Sequence, residues 1–475
     1  MKNNHILKLY GVALLLAVWG CKTSNQTVKS ENKNTPTSFI GSNDTANSAT
    51  INWRTYFNDN TLNALIDTAL EYNQELNIIK QEIAISKNEV RARKGEYLPF
   101  LNLAGGAGIE KPGRYTRNGA VEESLNVKDN TRFPEPLNDY MFGVNASWEL
   151  DVWKKLRNAK KSAVNKYLSS IEGKNFMVTN LVAEIADTYF DLLALDNLME
   201  IVQKNITIQT NALHIVKQQK EAARVSQLAV NRFEAQLLNT KNLQYDILQK
   251  ITEKENKLGL LTGKFPKSIK RDASSYINIP ITNVSAGIPS QLLQNRPDIR
   301  QAELELMAAK LDVKVARASF YPSFRITAGV GFNAYNPSLL FKPESMLYNL
   351  AGDLVAPLIN RNAIKAVYLN ANSKQIQAVY KYEQTILNAH IEVLNHLAKI
   401  DNSVKSFDTK KSEVEILVNS VDISNSLFNS ARADYSEVLF TQHEALEAKI
   451  DLIEIKKKQL DAKIGIYKAI GGGWR

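Results

Sequence analysis

The chain has 475 residues, 59 Lys and Arg against 49 Asp and Glu, a formal charge of +10 and 44% hydrophobic residues. This excludes low complexity and wholesale disorder, and the length predicts two to four units, each able to bury a core. One cysteine excludes an intramolecular disulfide, and five scattered histidines add no thiolate metal site. Glycine and proline supply 21 and 13 residues, about 7% of the chain against an average of about 12%, so turns are few and elements long.

Residues 1–20 carry Lys2 and Lys8, no acid, and an apolar run from Leu9 to Trp19, the pattern of a secretory signal. The run is shorter than the about 20 residues a bilayer needs, and no later segment supplies them, so no transmembrane helix is expected. It ends Leu16-Ala17-Val18-Trp19-Gly20-Cys21, which resembles a bacterial lipobox. The resemblance implies that Cys21 is acylated, becomes the mature N-terminus and anchors the protein to a membrane; the alternative is a buried structural thiol. Residues 21–50, rich in Ser, Thr and Asn, read as a lipidated flexible tether. Without residues 1–20 the net charge is +8. Such a balance invites a nucleic-acid reading, but the lysines are spread evenly along a secreted chain, so solvated helix faces and no nucleic-acid partner are expected.

From Lys174 to Leu258 and from Leu358 to Ile464 there is neither Gly nor Pro, windows of 85 and 107 residues. Within them apolar residues recur at three and four, as in Val182, Ile185, Tyr189, Leu192, Leu195, Met199 and Val202, a coiled-coil-like stripe. If each window folds once near its middle, each arm spans ~60–80 Å. A shift of 223 residues lays Val90–Pro99 on Val313–Pro322, and Gly106 and Gly108 on Gly329 and Gly331. A shift of 208 lays Arg224 on Arg432, Val230 on Val438 and Gly263 on Gly471. The chain is an internal duplication, with a first repeat over 51–263, a linker over 264–287 and a second repeat over 288–475.

After Pro99 and Pro322 the period changes to two: Phe324, Ile326, Ala328, Val330 and Phe332 alternate with Arg325, Thr327, Gly329, Gly331 and Asn333. Strands are expected at about 99–110, 140–151, 322–334 and 346–356, with polar loops between the members of each pair. One apolar and one polar face on ~10-residue strands is the pattern of a transmembrane barrel wall, though a soluble sandwich shows it too. Four strands cannot close a barrel, which needs about eight, so a barrel requires several chains.

Ile288-Pro289-Ser290-Gln291-Leu292-Leu293-Gln294-Asn295-Arg296-Pro297-Asp298-Ile299 followed by Ala302-Glu303 resembles the signature of the TolC-like outer-membrane efflux proteins, in their lipoprotein (NodT-type) branch. So do Trp148-Glu149-Leu150-Asp151-Val152-Trp153, Ala433-Asp434-Tyr435-Ser436-Glu437-Val438-Leu439 and Tyr467-Lys468-Ala469-Ile470-Gly471-Gly472-Gly473-Trp474. The resemblance covers about residues 50–475. It implies a mainly α fold with a β-barrel portion: a homotrimer with a twelve-stranded transmembrane β-barrel continued by a twelve-helix periplasmic α-barrel. This would be the exit duct for an inner-membrane pump and periplasmic adaptor, lipid-anchored in the outer membrane of a Gram-negative bacterium. The family usually has Gly where this chain has Lys154, and a Gly pair where it has Arg361-Asn362.

A duct has no catalytic step, and its chemistry is a gate. The resemblance places carboxylate rings at the periplasmic end, over Asp434 to Thr441. Asp434 and Glu437, three apart on one helical face, would form rings that bind cations and disfavour anion leak. Phe440 would add a hydrophobic constriction, Arg432 is a candidate clasp partner, and Arg224 and Ser226 are the first-repeat equivalents. The bland alternative makes Asp434 and Glu437 ordinary solvated helix residues. His390 and His396 are six apart and no His-Glu-x-x-His occurs, so no zinc chemistry is expected, and no cofactor beyond the covalent lipid at Cys21. Trp148 and Trp153 suit an interfacial belt or packing between subunits. The runner-up is a periplasmic adaptor lipoprotein with long helical hairpins, against which the duplication argues; a secreted enzyme lacks any nucleophile and base pair.

Overall fold

The computed structural model describes residues 29–39, 46–274, 276–281, 285–359, 361–430 and 432–475. The signal segment and Cys21 lie outside the described residues. In chain order the elements are α1 (Trp53–Phe57), α2 (Asn60–Tyr72), α3 (Gln74–Glu96), β1 (Phe100–Glu110), α4 (Arg117–Ser124), β2 (Asn126–Lys128), β3 (Thr131–Arg132), β4 (Leu137–Leu150), α5 (Lys155–Glu221) and α6 (Gln227–Leu261). There follow α7 (Leu292–Asn295), α8 (Pro297–Ala318), β5 (Ser323–Ala334), β6 (Met346–Val355), α9 (Asn362–Asn429) and α10 (Tyr435–Ala469).

The chain forms two compact units, and they cut across the repeats. One holds Ala84–Leu168 and Leu304–Tyr380, the other Glu31–Ile83, Ser169–Glu303 and Lys381–Arg475. Each unit thus takes matching pieces from both copies.

In the first unit a four-stranded antiparallel sheet runs β1-β4-β5-β6. Its register puts like against like. Val144 faces Val330, Phe142 faces Phe332 and Trp148 faces Ile326, while on the alternate positions Ser147 faces Thr327 and Glu149 faces Arg325. The next pair continues this, with Ala328 opposite Leu350 and Val330 opposite Tyr348, against Arg325 opposite Asp353. Because side chains alternate with period two, the sheet has one apolar and one polar face. The apolar face is bare: Leu101, Leu103, Val330, Tyr348, Leu350 and Leu354 are exposed. Gly143 and Gly331 are opposite each other, and a Cβ on either would meet the facing backbone at 2.7–2.9 Å. The first-copy polar loop is itself folded, with α4 and the β2-β3 hairpin.

In the second unit the expected stripe is the core. Val182, Ile185, Tyr189 and Leu192 of α5 are buried together with Leu62 and Ile66 of α2, Leu258 of α6, and Ile453, Leu460 and Tyr467 of α10. The helices are less symmetric than folding near the middle of each window implies. Helices α5 and α9 have 67 and 68 residues and their return arms α6 and α10 have 35 each, so the outgoing arms run to ~100 Å and the returns to ~50 Å. The first window was bounded by Gly173, but α5 carries that glycine in its interior, at a helix-propensity cost of about 1 kcal/mol that its neighbours outweigh.

Among the described residues no helix is long and apolar enough to cross a membrane. Of the segment 21–50, expected to be a flexible tether, the described residues make contacts with the helical unit. The backbone N–H of Asn32 donates to Glu383 and Lys33 pairs with Glu303 at 2.6 Å. Phe39 is buried and stacks on His390 with centroids 5.2 Å apart, and Ser48 donates to the Ser285 carbonyl. The composition of this segment is too polar for a core of its own, but single anchors dock it on a surface that already exists.

Candidate functional site

The two long hairpins end in the same turn, built twice. Arg224 donates its N–H to the Gln219 carbonyl and Arg432 to that of Leu427, both at 2.9 Å, and 208 residues separate both members. Ser226 is the N-cap of α6, its hydroxyl accepting from Ala229 N–H, and Asp434 is the N-cap of α10, its carboxylate accepting from Ser436 N–H. Asp434 therefore stands outside the helix, with extended backbone at φ −81°. The expectation that Asp434 and Glu437 share one helical face is corrected: they are N-cap and third helical residue, the spacing of a capping box. That signal was present in the sequence as Asp434-x-x-Glu437.

Around this turn the side chains divide cleanly. Tyr435 and Leu439 pack against Leu213, Val216, Val230 and Phe233 of the first hairpin, which seats one hairpin tip on the other. Arg432, Asp434, Glu437 and Phe440 are left exposed, Phe440 at 63%. Arg432 and Arg224 have no ion-pair partner among the described residues. Glu437 lies in the first turn of α10, where the helix dipole favours a negative charge. The tip thus presents two carboxylates and an uncovered aromatic ring on a fixed base.

The other three motifs of the resemblance are joints, a role sequence reasoning did not assign. Asp151 caps α5, its carboxylate accepting from Leu156 and Arg157 N–H at 2.9 Å. The indole N–H of Trp148 donates to the Tyr97 carbonyl and that of Trp153 to the Pro322 carbonyl, so both indoles are engaged with the protein's own backbone. Lys154, at the position where the resemblance leads one to expect glycine, has a left-handed backbone at φ 60°. In the second copy, Arg361 donates to the Phe320 carbonyl at 3.0 Å and covers the Phe320 ring.

Arg296 is the centre of the second joint. It is 5% exposed, grips Asp298 with two bonds of 3.0 and 2.7 Å, and reaches Glu392 at 2.6 Å and the Ala469 carbonyl at 2.8 Å. Its first-copy equivalent, Asn73, likewise donates to the last carbonyl of the return helix, that of Leu261, at 2.9 Å. Beside each donor a glycine with positive φ closes the joint. A Cβ on Gly263 would meet the Tyr72 carbonyl at 2.2 Å, and one on Gly471 would meet the Asn295 carbonyl at 2.5 Å. Trp474 locks the second by donating to Asn295 and Gly471 carbonyls.

The model of the outer membrane efflux protein family matches residues 65–264 and 288–472. The solvent efflux pump outer membrane protein SrpC of Pseudomonas putida is 27% identical over 420 residues, 88% of this chain and 87% of that protein. The cation efflux system protein CusC of Escherichia coli is 26% identical over 426 residues, 89% of this chain and 88% of its own. Among solved structures, a membrane protein from Pseudomonas aeruginosa superposes with a TM-score of 0.85 at 22% identity, over 94% of this chain and 99% of the other. The adaptor alternative finds no support in these likenesses. With its apolar-faced sheet and two long hairpins, the chain belongs to the outer membrane efflux protein family and is an outer-membrane efflux channel protein.

Proposed function

We propose that three copies assemble into the exit duct of a tripartite efflux system, passing cargo delivered by an inner-membrane pump and a periplasmic adaptor. The observation that carries this reading is the four-stranded sheet, apolar on one bare face and polar on the other, with β1 and β6 as open edges. An open edge in lipid leaves backbone groups unsatisfied. Three such sheets make twelve strands, enough to close a barrel whose polar face lines water. The hairpins of three chains then supply twelve helix arms for the tunnel. Acylation at Cys21 tethers each chain to the membrane.

In this reading the exposed tip is the gate. Threefold symmetry turns Asp434 and Glu437 into rings of like charge, Phe440 into a ring of aromatic groups, and Arg432 into a clasp. Arg224 and Ser226 form the matching first-repeat turn. Relatives of nearly equal identity are named for solvents and for cations, which supports a duct that leaves cargo choice to its pump.

The test is assembly. In detergent the protein is expected to run as an SDS-resistant, heat-modifiable trimer and to form steady conducting units in planar bilayers. A monomer extracted without detergent refutes the duct. For the gate, Asp434→Asn with Glu437→Gln is expected to raise leak conductance and lower cation preference, and unchanged values refute that assignment. Asn also caps helices, so this variant leaves the α10 start intact.

A further inference from the structure

The core of the helical unit contains a cluster of charge that neither the duct nor the gate uses. Asp187 and Asp191 lie one turn apart on α5, and Lys457 and Asp461 one turn apart on α10. Asp191, whose side chain is 3% exposed, is held by Lys457 at 2.6 Å and by Lys254 of α6. These two ammonium groups are thereby committed to one carboxylate. The remaining two carboxyls, Asp187 and Asp461, stand one turn on from the Lys457–Asp191 bridge on α5 and α10. Neither has an ion-pair partner among the described residues, and Asp461 Oδ1 is buried without a hydrogen-bond partner.

The other groups facing this pair do not resolve it. Lys399 of α9 and Lys457 act on Asp461 only through space, and the buried Tyr276 faces it from the linker. The next lysines on α10, Lys456 and Lys463, turn away to the linker carbonyls of Ile279 and Pro280. Two neighbouring carboxyls hold together only when one keeps a proton, and two carboxylates side by side repel, the more so where one oxygen is shut off from water.

We propose that Asp187 and Asp461 form a proton-sharing latch that holds α10 against α5 in mild acid and loosens as the pH rises. Burial first, then the charge of Asp187, pushes the Asp461 carboxyl from 3.8 up to about 7. The folded state therefore binds more protons than the open one between these values. By linkage the contact is fully present below about pH 4 and is lost as the pH rises through about 7. The latch lies on α10, whose first turn is the exposed tip, so protonation at the root bears on the seating of that hairpin.

The latch stands on the packing within one chain, so its test needs no transport and can fail independently of the duct reading. Hydrogen exchange of the full chain in detergent would be followed at pH 5.5 and pH 7.5, with amide protection corrected for intrinsic rates. In the native protein, protection over 184–191 and 457–464 is expected to fall by about tenfold at the higher pH. Asp461→Asn, which donates to Asp187 at every pH, is expected to keep its protection equal at both. Asp187→Asn provides the second variant should the first not fold. Equal protection at both pH values in the native protein, or an undiminished fall in whichever variant folds, overturns the proposal.

Discussion

Arg296 offers the most direct check on how the hairpin core is held. Replacing it by Met preserves length and bulk and removes the guanidinium. The structure shows what is then stranded: Asp298, whose carboxylate was held by the two-pronged grip, and the Ala469 carbonyl at the end of α10. Removing one partner of a buried pair costs about 3–5 kcal/mol, and an orphaned buried carbonyl about 1–3 kcal/mol. Glu392 is half exposed at 47% and rehydrates, so it adds little. A total of about 4–8 kcal/mol is expected. Arg296→Lys keeps a charge but not the planar fork, and about half of that loss is expected. Urea unfolding of the solubilised protein, followed by tryptophan emission, reads the change. Pairing Arg296→Met with Asp298→Leu should recover part of the loss, since no carboxylate is then left unmatched. A single Met variant within about 1 kcal/mol of the native protein would refute the account.

The glycine joints should be equally intolerant: Gly471→Ala and Gly263→Ala combine a left-handed backbone with a contact under 3 Å, so losses above about 2 kcal/mol are expected in the same titration. Lys154→Gly should act oppositely, raising stability by about 1 kcal/mol by relieving φ 60° in a side chain that belongs elsewhere; a loss would mean that the Lys154 side chain contributes more than its backbone costs. Asp434→Ala should cost about 1 kcal/mol of α10 stability that Asp434→Asn does not, which separates cap from gate when both are compared by thermal melting.

The apolar alternation of the strands, the duplication and the buried stripe of α5 were legible because each is a periodic signal carried by many residues. The joints were visible only as motifs. Their partners lie far along the chain, 169 residues for Trp153 with Pro322 and 173 for Arg296 with Ala469, and no local pattern names a distant carbonyl. Asp434 was misjudged for a different reason. Helical spacing placed it on a face with Glu437, whereas the break at Arg432 moves the helix start to Tyr435. The docked segment around Phe39 was hidden by averaging, since one buried ring hardly changes the composition of thirty polar residues.

The two glycine joints also imply an order of events. Gly263 seats on Tyr72, in a stretch that has been exported before any of the second repeat is available, so the amino-terminal copy can complete its own closure while translocation continues. The second copy closes later. Its joint needs Gly471 and Trp474, which follow the whole of the first repeat along the chain. A premature stop before Gly471 would therefore leave the second hairpin unfastened at its root, whereas a stop after Thr262 and Gly263 would still deliver a chain with its first joint made.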